Sequence, residues 1–132
     1  MVDAGTGSGI LAIAARTLGA ARALGIDTDP DAIAAARENL ALNPSVTKID
    51  FEPLDLSRTP LPDADVVTAN LTGTLLVRSA ARLMAAVRPA GHLVLSGILA
   101  DEVDIVLRAF ASLTLVERTC EDEWIAFILK KR

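Results

Sequence analysis

Hydrophobic and polar positions along the chain predict strands and helices that alternate. Apolar residues recur at helical spacing from Ile10 to Leu18 and stop at Gly19, which suits the end of a helix. The next stretch, ARALGID, is typical of a short buried strand. TDPDAIAAARENLALN then predicts a helix that Asp29 caps, with Pro30 in its first turn. A strand, a helix, a second strand and a second helix therefore open the chain.

The same alternation continues and predicts a parallel sheet. VTKIDFEPLD and ADVVTAN predict the third and fourth strands, and a helix follows from Thr74 to Val87, before Pro89. GHLVLSG predicts the fifth strand, and DEVDIVLRAFAS predicts another amphipathic helix. Strands that are separated by helices in this way form a parallel sheet with helices on both faces.

The C-terminal residues break this alternation. LTLVERTC and WIAFILKK are two strand-like runs, and only the acidic turn of Glu121, Asp122 and Glu123 separates them. These strands must be antiparallel, because a parallel connection needs a crossover of about a dozen residues or more. The sequence thus predicts an α/β fold of about seven strands, mostly parallel with the last strand antiparallel. We expect its first strand to be truncated, because only Met1 and Val2 precede Asp3 and the turn.

Composition bounds the class of protein. The chain of 132 residues suffices for one compact domain, and an apolar fraction of 52% is enough to cover a sheet on both faces. A formal net charge of -4 disfavours nucleic acid as a direct partner. Cys120 is the only cysteine, which excludes an internal disulfide, and no apolar run reaches the roughly 20 residues of a membrane span. We expect a single cytoplasmic domain over residues 1–132, without a membrane segment or a metal site.

Three glycines at every second position follow Asp3 in the stretch DAGTGSG. Gly5, Gly7 and Gly9 allow the backbone to turn sharply from a strand into a helix and to approach a ligand closely. In an open α/β sheet, ligands lie over the carboxyl ends of the strands, and Asp27 ends the second strand at that edge. Its carboxylate can accept hydrogen bonds from both hydroxyls of a ribose. The pattern therefore indicates a ligand that contains a nucleoside.

This turn departs from the dinucleotide-binding pattern. G-x-G-x-x-G places its third glycine where this chain has Ile10, after Gly9. An NAD-dependent oxidoreductase is therefore disfavoured. A bend without any ligand is also disfavoured, because Asp27 lies at the matching edge of the sheet.

The D-x-G-x-G-x-G turn, Asp27 and the reversed last strand resemble the class I S-adenosylmethionine-dependent methyltransferases, which have a Rossmann-like fold. Five stretches in series resemble the catalytic domain of the ribosomal protein L11 methyltransferase family: DAGTGSGILAIAA, GIDTDPDAIAAARENLALN, ADVVTANL, LSGILADE and EDEWIAFIL. They cover nearly the whole chain. The first is generic to methyltransferases, whereas TANL, LSGIL and EW in series are more specific.

That resemblance implies a function. S-adenosylmethionine would be the cofactor, the amine of a lysine side chain or of a protein N-terminus would be the acceptor, and ribosomal protein L11 would be the partner. Members of the family usually carry a separate N-terminal domain that binds L11, and we expect residues 1–132 to lack it. The alternatives are a methyltransferase-like remnant that binds the cofactor without turnover, or a methyltransferase with another substrate.

Site residues follow from the same resemblance. The cofactor would be lined by Gly5, Thr6, Gly7 and Gly9, and Asp27 would hold its ribose. Asp55 would lie against the adenine, and Asp3 would orient the turn or reach the methionine ammonium. Asn70 would bind at the reacting centre.

Asn70 is the predicted catalytic residue. Methyl transfer from a sulfonium is an in-line displacement, so the site mainly delivers the lone pair of an uncharged amine at the right angle. The Asn side-chain oxygen and a nearby backbone carbonyl can accept the hydrogens of that amine. Leu71 and Thr72 follow Asn70 instead of the Pro-Pro-aromatic sequence of adenine and glutamine N-methyltransferases, which favours an aliphatic amine over a planar base or amide.

Two of these residues have structural alternatives. Asn70 at a strand end is also compatible with a simple turn residue. Glu123 and Trp124 begin the reversed strand near Ser96 and Gly97, where Trp124 suits either core packing or the substrate rim of the site.

Overall fold

A computed structural model describes residues 1–132. In chain order the elements are β1 (Val2–Ala4), α1 (Ile10–Thr17), β2 (Ala23–Asp27), α2 (Pro30–Ala41), β3 (Ile49–Pro53), β4 (Ala64–Asn70), α3 (Gly73–Ala86), β5 (Val87–Leu99), a 3-10 turn (Ala100–Glu102), α4 (Val103–Ala109), β6 (Thr114–Glu121) and β7 (Trp124–Lys130). The seven strands form one mixed sheet, and the chain divides into two compact units, Met1–Thr59 and Pro60–Arg132. The predicted α/β fold of about seven strands, mostly parallel, is confirmed.

The first unit is a parallel three-stranded sheet with two helices. Its strand order is β3-β2-β1, with Asp3 opposite Gly25 and Gly25 opposite Phe51. The hydrophobic core of this unit contains Ala12, Ala23, Ile33, Ala36 and Phe51, with Ile13, Leu40 and Ile49 packed against it. This core fixes α1 and α2 against the sheet, so the turns at the carboxyl ends of β1 and β2 have rigid support.

Helix α2 begins as its sequence predicts. The Asp29 side chain accepts a hydrogen bond from the Asp31 amide at 2.9 Å, and Pro30 is the first helical residue. This pair satisfies one orphan amide of the first turn and sets the backbone angle there. Asp29 is therefore a helix cap.

The second unit contains the other four strands in the order β4-β5-β7-β6. β4 and β5 are parallel, whereas β7 is antiparallel to both β5 and β6, which confirms the predicted C-terminal hairpin. The fully buried side chains of this unit come from both helices and from the three inner strands, and include Val67, Leu76, Leu83, Leu93, Leu95, Val106 and Phe127. β6 is the edge strand, and all eight of its residues are exposed.

One boundary differs from the sequence-based prediction. α3 ends at Ala86, and β5 begins at once at Val87 instead of at Gly91. Val87 is buried and pairs with Ala64, so pairing between strands overrides the helical pattern that continues to this residue. Pro89 is tolerated because it lies near the start of the strand, where its missing amide breaks few ladder bonds.

Candidate functional site

Two features are absent from the chain. None of its helices combines the length and the apolar character needed to cross a membrane. No group of three or more His, Cys, Asp or Glu side chains is placed to hold a metal ion.

Three glycines turn the chain from β1 into α1. Gly5, Gly7 and Gly9 have φ angles of 76°, 53° and 78°, in the left-handed region that glycine adopts without strain. A Cβ at Gly9 would lie 2.7 Å from Cζ of Phe51 and 2.9 Å from Cβ of Ala36. A Cβ at Gly7 would have nothing within 4 Å. The Gly9 backbone is thus packed against neighbouring side chains, whereas the space beside the Gly7 backbone is open.

Asp27 ties this glycine turn to the end of β2. Its Oδ2 accepts a hydrogen bond from the Gly7 amide at 3.0 Å, and its Oδ1 accepts one from the Asp29 amide at 3.1 Å. A carboxylate offers about four lone-pair positions, so about two remain for a partner from outside. The side chain is half-buried, which leaves it accessible to such a partner.

Three more amides of the turn are used within the protein. The Ile26 carbonyl accepts hydrogen bonds from the amides of Gly5 and Thr6, both at 2.9 Å, and the Gly9 amide donates to the Thr6 carbonyl at 2.9 Å. A phosphate-binding turn directs its amides at the ligand. The amides of Gly5, Thr6, Gly7 and Gly9 are therefore not available to a pyrophosphate, which agrees with the departure of the sequence from the dinucleotide pattern.

Asp3 and Thr6 form a buried pair beneath the turn. Thr6 Oγ1 donates a hydrogen bond to Asp3 Oδ2 at 2.8 Å, and the two residues are 5% and 1% exposed. A hydrogen bond to a buried carboxylate is strong because little water competes for it. Of the two roles predicted for Asp3, this geometry favours orientation of the turn. The Thr6 side chain points inward as well, so only its backbone is available to line a ligand.

Asp55 organises the turn after β3. Its Oδ1 accepts a hydrogen bond from the Ser57 amide at 2.8 Å, and its Oδ2 lies 3.7 Å from Nε of Arg58. Its backbone carbonyl accepts hydrogen bonds from the amides of Arg58 and Thr59, both at 3.0 Å. These contacts explain an aspartate at this position as a turn former. The role of Asp55 at an adenine stays a prediction.

Asn70 ends β4 in the second unit, and its side chain is exposed. It is in register with Ser96 of β5, whose carbonyl accepts a hydrogen bond from the Leu71 amide at 3.2 Å. A Cβ built on Gly97 would lie 2.9 Å from Asn70 Oδ1 and 2.8 Å from the Leu71 carbonyl oxygen. The Asn70 side-chain oxygen and the Leu71 carbonyl oxygen therefore both lie close to Gly97.

The contact between Asn70 and Gly97 is the part of this arrangement that sequence reasoning missed. The signal for it was present, because a glycine inside the apolar strand LVLSGIL is typical of a bulge or of a close approach by another backbone. The sequence alone does not identify the residue that makes the approach.

Trp124 begins β7 and is 51% exposed, which excludes a place in the core. It is in register with Leu99 of β5 and with Glu121 of β6, and the next pair is Ile98 with Ile125. The predicted position beside the end of β5 is confirmed. A role for Trp124 at the substrate stays a prediction.

The mixed sheet, the glycine turn tied to Asp27 and the antiparallel β7 define the Rossmann-like fold of the class I methyltransferases. The crystal structure of ribosomal protein L11 methylase from Lactobacillus delbrueckii subsp. bulgaricus has a TM-score of 0.92 at 30% identity, over 99% of this chain and 69% of that chain. An RNA methyltransferase from Salinibacter ruber, crystallised with S-adenosyl-L-homocysteine, has the same fold with a TM-score of 0.77 at 24% identity, over 98% of this chain and 78% of that chain.

The family model for ribosomal protein L11 methyltransferase (PrmA) matches residues 1–132, and the chain belongs to this family. A ribosomal protein L11 methyltransferase from Geobacter metallireducens is 51% identical over 130 residues, which cover 94% of this chain and 41% of the relative. The chain spans about two fifths of the length of the curated relatives that it matches.

Proposed function

We propose that this chain is the catalytic domain of a methyltransferase that transfers a methyl group from S-adenosylmethionine to an amine of ribosomal protein L11. The observation that carries this proposal is the Asp27 carboxylate. It accepts hydrogen bonds from the amides of Gly7 and Asp29, which leaves about two lone-pair positions for the hydroxyls of a ribose. Membership of the L11 methyltransferase family supports the same activity. Asp27 and the turn would hold the cofactor.

The residues of the glycine turn fit this cofactor. S-adenosylmethionine contains a ribose and no phosphate, so it needs the free lone pairs of Asp27 and does not need the amides that Gly5, Thr6 and Gly7 have already used. The space beside Gly7 is open, with nothing within 4 Å of a Cβ position, so a ligand can approach the backbone there. Asp3 and Thr6 hold this turn from below. We infer that Gly5, Gly7 and Gly9 serve the cofactor through the shape of the backbone.

Asn70 has a positioning task in the proposed reaction. The cofactor supplies a methyl group that is attached to a positively charged sulfur. The amine nitrogen forms a bond to the methyl carbon while the carbon–sulfur bond breaks, the electron pair of that bond stays on sulfur, and the amine then loses a proton to water. Asn70 Oδ1 and the Leu71 carbonyl would accept two N–H hydrogens, which leaves the nitrogen lone pair aimed at the methyl carbon.

An aliphatic amine of a protein fits this acceptor site. A lysine side chain or an N-terminal amine is flexible enough to enter, and once uncharged it carries the two hydrogens and the one lone pair that the two oxygens can orient. The curated relatives are named for ribosomal protein L11, and we propose L11 as the substrate of this chain. We propose the cytoplasm as the location, because ribosomes are there.

A methyl-transfer assay tests the proposed function. Purified L11 is incubated with this chain and S-adenosylmethionine that carries a labelled methyl group, and mass spectrometry locates the label. We run the same assay with this chain joined to the N-terminal domain of a family member. We expect label on lysine or N-terminal amines of L11. Binding of S-adenosylhomocysteine with no transfer in either form would contradict the proposal and favour a remnant without turnover.

A further inference from the structure

β5 contains a bulge next to the predicted catalytic residue. Leu95 pairs with Phe127 and Ile98 pairs with Ile125, so two residues of β5, Ser96 and Gly97, oppose a single residue of β7. Gly97 has a φ of 81°, the left-handed conformation that bulges often assign to glycine. Bulges of this kind occur next to active sites, where they redirect a side chain or interrupt pairing.

The bulge interrupts the pairing of β5 with β7 but leaves the pairing of β5 with β4 intact as far as Ser96. Ser96 keeps its register with Asn70 of β4, and the Ser96 carbonyl accepts the hydrogen bond from the Leu71 amide. Gly97 then places a bare Cα where Asn70 Oδ1 and the Leu71 carbonyl oxygen come together. A Cβ there would lie 2.9 Å and 2.8 Å from these oxygens, closer than real Cβ contacts.

We propose that Gly97 is a positioning residue for methyl transfer, because its missing side chain lets the Asn70 amide oxygen and the Leu71 carbonyl converge on the acceptor amine. This inference rests on the proposed function. An added methyl group at Gly97 would collide with both oxygens. Asn70 Oδ1 can move away by side-chain rotation, whereas the Leu71 carbonyl moves only with its backbone. A displacement of about 1 Å is enough to reduce a rate 100-fold.

The first test compares two alanine variants. Gly97→Ala is expected to lower the single-turnover rate of methyl transfer by a factor on the order of 100, while the Kd for S-adenosylhomocysteine stays at the parent value. Gly19→Ala is the matched control, because Gly19 also has a positive φ, of 105°, but nothing lies within 4 Å of its Cβ position. That variant should transfer methyl groups at the parent rate. Equal rates in Gly97→Ala and the parent would overturn the inference.

The second test is a double-mutant cycle. Gly97→Ala in the Asn70→Ala background no longer collides with the amide oxygen, although the collision with the Leu71 carbonyl remains, so the two rate losses should combine to less than their product. Thermal unfolding of the same four proteins gives a readout that is independent of turnover. The loss of Tm caused by Gly97→Ala should be smaller in the Asn70→Ala background, even if the single variant folds poorly. Multiplicative rate losses, or an equal loss of Tm in both backgrounds, would show that Gly97 does not act through Asn70.

The failure of this inference and the failure of the proposed function give different results. A parent protein that transfers no methyl group to L11, with or without the family's N-terminal domain, contradicts the proposed function and the inference with it. A parent that is active, an Asn70→Ala variant that is slow and a Gly97→Ala variant that is fast contradict the inference alone.

Discussion

Replacement of Asp27 by alanine is expected to weaken the binding of S-adenosylhomocysteine by at least about 100-fold. The carboxylate has about two lone-pair positions that the Gly7 and Asp29 amides do not occupy, and a ribose would use both. Two hydrogen bonds to a charged group contribute about 1.5 to 3 kcal/mol each, so about 3 to 6 kcal/mol is lost. Every 1.4 kcal/mol changes Kd about tenfold, which gives a factor between about 100 and 10,000.

Asp27→Asn should have an intermediate effect. The amide of asparagine retains one oxygen as an acceptor, and its nitrogen cannot accept. About half of the binding free energy from the two ribose hydrogen bonds should therefore remain, which corresponds to a loss of affinity on the order of 10- to 100-fold. Isothermal titration calorimetry measures the Kd of both variants and of the parent.

Asp29→Ala is the matched control for this pair, because it removes the same charge two residues away. Asp29 caps α2 through the Asp31 amide, so its loss should lower the free energy of unfolding by about 1 kcal/mol. The Kd should not change. An Asp27→Ala variant that binds S-adenosylhomocysteine as tightly as Asp29→Ala does would refute the assignment of Asp27 to the ribose.

Four further substitutions test the turn and the acceptor site. Gly9→Ala should lower the free energy of unfolding by about 2 to 5 kcal/mol in urea titrations, because a methyl group would collide with Phe51 and the residue would be strained at its φ of 78°. Gly7→Ala has free space and should lose only about 1 to 2 kcal/mol, while calorimetry shows weaker binding of S-adenosylhomocysteine. Asn70→Ala should slow methyl transfer by a factor on the order of 100 and leave the Kd for the cofactor largely intact; a parallel loss of rate and affinity would give it a different role. Thr6→Val should lower the free energy of unfolding by about 1 to 3 kcal/mol, because the buried carboxylate below it loses a donor; unchanged urea midpoints would contradict this reasoning.

The elements whose signals are local could be predicted from the sequence. Asp29 and Pro30 mark the start of α2 because a cap and a first-turn proline act within three residues. The acidic turn between the last two strands leaves no room for a crossover, so the antiparallel hairpin follows from chain length alone. The turn at the three glycines could be predicted because glycine adopts a positive φ without strain, whatever its distant neighbours.

The features that depend on distant residues could not be predicted in the same way. The start of β5 at Val87 is set by pairing with Ala64, which local patterns do not encode. The inward direction of the Thr6 hydroxyl depends on the buried Asp3 carboxylate. The role of Gly97 depends on the end of another strand, so the sequence indicates an unusual glycine without identifying Asn70 as its neighbour.

The most direct measurement for the whole account is a calorimetric titration of this chain with S-adenosylhomocysteine and, separately, with NAD. The amides of Gly5, Thr6, Gly7 and Gly9 are used internally and Asp27 keeps free lone pairs, so we predict that S-adenosylhomocysteine binds at one site per chain and that NAD gives no binding heat. Binding of NAD, or a failure of S-adenosylhomocysteine to bind to the folded chain, would contradict it.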